Sequence, residues 1–414
     1  EYKLMGLAPY GEPRYADRIL EHLIDLQPDG SLRMHLDHFN YCQGLTMTSS
    51  KFHRLFDGPP RTPESPLTER HMDIAASVQA VTEEAMLRMA RHVHQVTGMK
   101  NLCLAGGVAL NCVANGRVLR EGPFDEVWIQ PAAGDAGGAL GVALLIWHQL
   151  LDNPRPHDQL DYQGGSSLGP EFSNEQVQEF LDSAGAVYQK FDDVNELCHE
   201  VAGLIADEQV IGWMQGRMEF GPRALGGRSI LGDARSTRMQ SVMNLKIKFR
   251  ESFRPFAPSV LEERVDEYFE MRPGEQSPYM LLVADVKPEK RLPLDEADQA
   301  TRGLDKLKVH RSHVPAITHV DNSARVQTVD PRRHGRYYHL LKAFEEQTGS
   351  AVLINTSFNV RGEPIVCTPQ EAFRCFMATN MDVLVIEDFV IHKDQQPGAT
   401  EHGIDEYLAN FELD

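Results

Sequence analysis

Cysteine pairs at metal-binding or redox spacing are missing from this 414-residue chain. Its six cysteines (Cys42, Cys103, Cys112, Cys198, Cys367 and Cys375) form no CxxC pair and no regular interval. They read as buried free thiols in a reducing cytoplasm rather than a disulfide framework. Long apolar runs are missing too. The longest, from Gly138 to Trp147, is about half of the ~20 residues a membrane helix needs, and no signal peptide is recognisable. Basic residues are scarce, with Lys+Arg at 41 against Asp+Glu at 60, a net charge of −19. Such a surface repels polyphosphate backbones, so no nucleic-acid partner is expected unless basic side chains are concentrated locally. An anionic substrate has to be met by arginines gathered in a cleft. No covalent serine or cysteine nucleophile is expected either, since the cysteines lack a recognisable partner pattern.

What is present suffices for two or three cores, with 42% hydrophobic residues over this length. A stretch rich in Pro, Gly, Asp and Ser separates two regions, giving expected boundaries of 1–155, a linker at 156–172, and 173–414. In the first region, Ile74, Val78, Val81, Met86, Met89 and Val93 recur at helical spacing over 71–97, and Gly98 stops that helix. A strand over Asn101–Ala105, a helix to about Arg120, a strand over Glu126–Gln130 and an apolar helix to Leu151 follow. The second region predicts helices at 173–184, 194–207, 336–347 and 369–378. Its strands are expected near 186–191, 209–214, 279–286, 315–320, 325–329, 351–356 and 382–391. The fold class is therefore α/β in the first region and α+β or mixed α/β in the second. The chain opens on Glu1, not Met, directly on the dense segment Lys3 to Gly11. An N-terminal portion is expected to lie outside this sequence.

Two glycine turns carry the first candidate site. Strand Asn101–Ala105 runs into Gly106-Gly107, and Asn111 follows in the helix; Gly134-Asp135-Ala136-Gly137-Gly138 again joins strand to helix. Glycines let backbone approach an anion, and a helix N-terminus supplies free N–H groups. One such turn is more often a plain strand-to-helix connection; two about thirty residues apart point to a nucleotide. They resemble the actin/sugar-kinase/Hsp70 type of ATPase, in its TsaD-like branch. That resemblance implies nucleotide contact at Gly106, Gly107, Asn111, Gly134 and Gly137, and metal ligation by Asp135. An N-cap carboxylate is the other reading of Asp135. The branch takes two further ligands from a His-x-x-x-His motif. Among the seventeen histidines no pair is four apart, and His35/His38 and His310/His313 read as surface residues. A divalent metal, Mg or Fe, would therefore find an incomplete site here.

The second candidate site is basic. Residues 216–231 read GRMEFGPRALGGRSIL, and 246–258 read KIKFRESFRPFAP. Concentrating arginine and lysine among glycines and aromatics in an acidic chain points to an anionic ligand. The competing reading is a set of structural ion pairs with Glu219, Asp233 and Glu251. Pro315–Asp321 with Arg325, and Asn355-Thr356-Ser357-Phe358-Asn359 before Arg361-Gly362, add a further arginine and neutral donors at a strand end.

These segments, in order from Lys3 to about Lys393, resemble the NodU/TobZ-type O-carbamoyltransferases. The resemblance implies a partial TsaD-like ATPase domain followed by an α+β YrdC-like domain. It implies that Arg223, Lys248 and Arg254 hold phosphate and carbamoyl groups, joined by Arg325, Ser357 and Asn359. Ser252 stands where relatives usually carry Pro, a change of loop rather than of charge. ATP and carbamoyl phosphate are the implied co-substrates, and a hydroxylated small molecule the acceptor. The implied location is cytoplasmic, without membrane association, and a homodimer is allowed for. Three other readings compete. A threonylcarbamoyl-type tRNA-modifying enzyme is disfavoured by the acidic charge, a non-catalytic relative by the intact Arg/Lys/Ser/Asn set, and a sugar kinase by the arginine region it leaves without a role.

Overall fold

Capping chemistry sets the long helices. Thr68 caps Glu69–Thr97 with a reciprocal box to His71, and Gly98 ends the helix in the left-handed region at φ 63°. Ser173 with Gln176 opens Asn174–Ser183, and Thr368 with Glu371 opens Pro369–Ala378, both as capping boxes. The computed structural model describes residues 2–155, 163–398 and 404–411. Residues 156–162 of the expected linker lie outside the described residues.

The chain forms two compact units. The first comprises Glu1–Ala105, Asn111–Ile129 and Pro293–Val309. It holds an antiparallel pair, β1 (Ile24–Leu26) with β2 (Leu32–Met34), and a parallel pair, β3 (Asn101–Leu104) with β4 (Glu126–Ile129). Helix Glu69–Thr97 supplies Val81 to a core with Ile19, Leu23 and Phe56, and Leu87 and Ala90 to a second with Val118 and Phe124. Residues 293–309 fall within the span expected for the second domain, yet they pack in this unit. The Lys306 ammonium donates to the Pro9 carbonyl at 3.1 Å, and Gly303 lies against Met72.

The second unit comprises Gly106–Leu110, Gln130–Leu292 and His310–Asp414. Among the described residues its centre is one nine-stranded sheet, in the order β5-β13-β12-β6-β7-β11-β8-β10-β9. The strands are β5 (Gln189–Lys190), β6 (Ile211–Met214), β7 (Arg228–Asp233), β8 (Ala257–Leu261) and β9 (Leu282–Asp285). β10 (Ser323–Val329), β11 (Val352–Ser357), β12 (Val383–Ile386) and β13 (Phe389–His392) complete it. β12/β6 and β10/β8 pair in parallel and the remaining neighbours antiparallel, so the unit is mixed α/β. Trp213, Phe344, Phe376 and Phe389 are fully buried in its core, each worth roughly 1.5–3 kcal/mol of apolar burial.

Four expectations need correction. Residues 315–320 form turns rather than a strand, and 382–391 is a hairpin of two strands. β7 and β8 were hidden in the arginine-rich segments, whose Gly, Pro and charged residues mask the apolar pattern; both strands are buried throughout. Residues 163–172, read as linker, are tied into the second unit. The Gly169 N–H donates to Met218 O at 2.9 Å, Met218 N–H to Pro170 O at 3.0 Å, and Phe220 N–H to Ser166 O at 2.7 Å. Helix Ala136–Leu145 passes into a π-turn at Ile146–Leu150 and buries none of its residues fully, leaving Val142, Leu145, Trp147 and Leu150 exposed. No helix among the described residues is long and apolar enough to cross a membrane.

Candidate functional site

The 216–228 segment holds two charges that fold it. Glu219 is buried, and its Oε1 accepts the N–H groups of Leu225 at 2.6 Å, Gly227 at 2.7 Å and Arg228 at 3.3 Å. The fully buried Arg228 guanidinium donates to the carbonyls of Gln215, Gly216, Gly227, Pro170 and Cys367 at 2.9–3.4 Å. Burial pushes its pKa down, and Glu219 and Glu387 offset that only in part. Arg217 pairs with Glu171 at 2.7 Å on the surface, and Arg235 grips Asp233 through two nitrogens. For Arg217, Arg228 and Arg235 the structural reading therefore holds.

The loop so formed presents Arg223, half buried, and rests on polar side chains of the sheet. Asn355 Nδ2 donates to the Ala224 carbonyl at 3.3 Å and Gln327 Nε2 to the Leu225 carbonyl at 2.8 Å, while Asn355 Nδ2 also reaches Gln327 Oε1 at 2.8 Å. Side chains two apart on a strand share a face. Arg325, two before Gln327 on β10, and Ser357, two after Asn355 on β11, thus stand on the side of the sheet that carries the Arg223 loop.

Lys248 meets Ser357 directly. It follows the π-turn Met243–Ile247, is only 3% exposed, and its Nζ donates to the Ser357 carbonyl at 2.8 Å and hydroxyl at 3.3 Å. It also donates to the Asn359 carbonyl at 2.6 Å and Oδ1 at 2.5 Å. Burial, with Arg250 and Arg254 adding repulsion, pulls its pKa well below the ordinary lysine value; the four surrounding oxygens favour the ammonium. Its donors are already engaged, so Lys248 organises the Ser357–Asn359 turn, and an anion reaching it has to exchange with one of these oxygens. Beside it, Glu251 lies 3.6 Å from Arg254 and 4.0 Å from Arg361. Asn244 supports this corner, donating to the Arg254 carbonyl at 3.0 Å and accepting from Arg250 Nε at 2.6 Å.

Lys248, Ser357 and Asn359 are thus in contact, Arg254 is close enough to bear on the charge of Lys248, and Arg223 and Arg325 share the sheet face. Sequence reasoning missed Arg361, Glu251 as its partner, and Glu363 beneath the turn. Its place two residues after Asn359, at the end of the Ser/Asn motif, was the signal for Arg361.

The glycine turns are arranged differently. Gly106 has φ +94° and donates its N–H to Ala133 O at 2.8 Å, and a Cβ at Gly106 or Gly107 would meet nothing within 4 Å. That open backbone suits close approach of a phosphate. Gly137 is required for packing, because a Cβ there would lie 2.1 Å from the Ala132 carbonyl oxygen. Gly134 lies near the Leu110 side chain. Asn111, which belongs to the first unit, caps Cys112–Glu121 by accepting from Ala114 N–H and pairs its amide with Gln79. Asp135 is exposed at the start of helix Ala136–Leu145 and makes no capping bond, so its N-cap reading is not realised. Among the described residues no three His, Cys, Asp or Glu side chains gather as a metal site. Asp135 alone, an exposed carboxylate, does not fit a metal site. Contrary to the expectation that no GxSxG is present, residues 165–169 carry that spacing; Gly164–Ser166 form a short 3-10 turn rather than the strand-to-helix elbow that positions such a serine.

Comparison with known proteins gives the family of the chain. The Carbamoyltransferase N-terminus model matches residues 1–144 and the Carbamoyltransferase C-terminus model residues 202–393. The chain belongs to the carbamoyltransferase family of enzymes. It is 60% identical over 416 residues to the protein sll1178 of Synechocystis sp., covering 100% of this chain and 67% of that protein. It is 39% identical over 394 residues to nodulation protein NolO of Bradyrhizobium diazoefficiens, covering 95% of this chain and 66% of that one. Nodulation protein U of Sinorhizobium fredii is 33% identical over 302 residues, 72% of this chain and 46% of that protein. The chain therefore spans about two thirds or less of these relatives' length. Full-length HypF, solved in a phosphate- and nucleotide-bound form, overlaps 47% of this chain and 25% of its own at a TM-score of 0.31 and 17% identity. That likeness is too weak to carry an argument.

Proposed function

We propose that this chain takes part in O-carbamoyl transfer from carbamoyl phosphate, with ATP, to a hydroxyl of a small-molecule acceptor. Within the second unit, the nine-stranded sheet with its Lys248 corner serves as a YrdC-like activating part, and the glycine turns, which cluster with the same unit, serve as a TsaD-like nucleotide-binding part. Carbamoyl phosphate is first hydrolysed to carbamate and phosphate. The carbamate oxygen then attacks the α-phosphorus of ATP, giving carbamoyladenylate and pyrophosphate. The acceptor hydroxyl attacks the carbamoyl carbon, AMP leaves, and the hydroxyl proton is lost to solvent.

The residues act by position and charge rather than by a covalent step. Arg223, Arg254 and Arg325 receive phosphate oxygens on one face of the sheet. Lys248 fixes Ser357 and Asn359, whose hydroxyl and amide orient the carbamoyl group. The observation that carries this reading is the contact of buried Lys248 with Ser357 and Asn359, with Arg254 near enough to act on its charge and the Arg361 N–H on the Lys248 carbonyl, set in a chain of net charge −19. Exchange of labelled pyrophosphate into ATP, dependent on carbamoyl phosphate, tests it. Lys248→Ala and Arg254→Ala are expected to abolish exchange; undiminished exchange in both removes the site.

A further inference from the structure

We infer that Glu363 and Tyr407 are positioning residues for Lys248, so that the last helix of the described chain completes the site. The Ser357–Glu363 turn closes on a buried carboxylate. Glu363 Oε2 accepts the Val360 N–H at 2.8 Å, and its carbonyl accepts Asn359 Nδ2 at 2.6 Å. The same Asn359 accepts from the Lys248 ammonium through both its carbonyl and Oδ1. Cys375 Sγ lies 3.4 Å from Glu363 Oε2. The other carboxylate oxygen, Oε1, takes a short hydrogen bond from the Tyr407 hydroxyl. Tyr407 stands on helix Ile404–Leu408, 44 residues away in sequence, and its ring is buried in the core of the unit.

The Val360 N–H, the Cys375 thiol and the Tyr407 hydroxyl, which donate to the Glu363 carboxylate, are all neutral. These hydrogen bonds orient it, while the Lys248 ammonium acts on it through charge, and each removed donor lets it turn. Turning the carboxylate releases the Val360 N–H next to Asn359; that loosens the turn in which the Glu363 carbonyl holds Asn359 Nδ2, and with it the oxygens that hold Lys248. A serial arrangement runs from Tyr407 through Glu363 and Asn359 to Lys248. Its effect on turnover rests on the carbamoyl-phosphate reading above; its effect on Lys248 does not.

The test uses the full chain and peptide-mapped acetylation by an N-hydroxysuccinimide ester. Lys393, whose ammonium donates to the carbonyls of Phe376, Met377 and Thr379, is the internal control for general loosening. Tyr407→Phe keeps the ring and removes the hydroxyl. It is expected to raise Lys248 acetylation about tenfold, the smaller effect for a hydrogen bond to a charged group, with Lys393 unchanged. Glu363→Gln, which retains an acceptor oxygen, should raise it less than Glu363→Ala. In pyrophosphate exchange, Tyr407→Phe should raise KM for carbamoyl phosphate about tenfold and leave kcat nearly unchanged. Lys248 protection that is unaltered in Tyr407→Phe, or that falls in parallel with that of Lys393, overturns the inference. A wild-type chain without exchange removes the functional reading alone, because acetylation still decides the positioning.

Discussion

Replacing Lys248 by Met keeps most of the side chain's volume and removes only the ammonium. Three oxygens at 2.5–2.8 Å then lose the ammonium; the Ser357 carbonyl keeps the Asn359 N–H at 3.0 Å and Asn359 Oδ1 keeps the Ser357 hydroxyl at 2.7 Å, which leaves the Asn359 carbonyl as the acceptor most in need of a donor. Each buried acceptor left unmatched costs about 1–3 kcal/mol. Against this, the variant no longer holds a cation out of water, a cost of several kcal/mol before its hydrogen bonds are counted. Ser357 and Asn359 are partly exposed, so water replaces some of the lost donors. The net loss should be about 1–2 kcal/mol, or roughly 2–8 °C in the melting temperature of a unit this size. Activity should suffer more, because the turn bearing Ser357 and Asn359 loses its register. Pyrophosphate exchange is expected to fall at least ~100-fold, equivalent to about 2.7 kcal/mol of transition-state stabilisation. Calorimetry and exchange on the same preparation separate the two effects. A variant that melts like wild type and exchanges at the wild-type rate refutes the reasoning.

Arg228→Lys should destabilise by about 3 kcal/mol or more, since an ammonium cannot serve five carbonyls spread around a planar fork; denaturant unfolding measures it. Asp135→Ala should leave stability within about 0.5 kcal/mol, because the side chain is exposed and caps nothing; thermal unfolding checks this. Lys393 supplies a pH dependence, since burial lowers its pKa to about 8. Between about pH 8 and the unfolded value near 10.4, the unfolded chain holds a proton that the folded chain has released. Wild-type stability should therefore rise with pH across that window relative to Lys393→Met, by up to about 1.4 kcal/mol per pH unit. A flat difference between the two chains contradicts the assignment.

Helices announced themselves where apolar spacing met a cap, as over Glu69–Thr97 and Pro369–Ala378. Strands β7 and β8 did not, because their residues lie in segments dense in Gly, Pro and Arg whose pattern reads as loop. Nor could sequence separate Arg223 from Arg228. Both lie in one short segment, and only the fold shows that the Arg228 guanidinium is sealed against carbonyls while Arg223 stays half buried. The contact between Lys248 and Asn359 spans 111 residues, a distance over which no local periodicity operates; only the family resemblance joined them beforehand. The tie from Tyr407 to Glu363 has no signature at all, since a tyrosine and a glutamate 44 apart are unremarkable in sequence.

The central claim is that this acidic chain keeps a cationic pocket for carbamoyl phosphate. Isothermal titration of carbamoyl phosphate into the full chain, with and without ATP, addresses it most directly. Saturable binding that tightens with ATP and disappears in Arg254→Ala is the predicted result. Absence of binding in the wild-type chain at millimolar ligand, or equal binding in the variant, would contradict it.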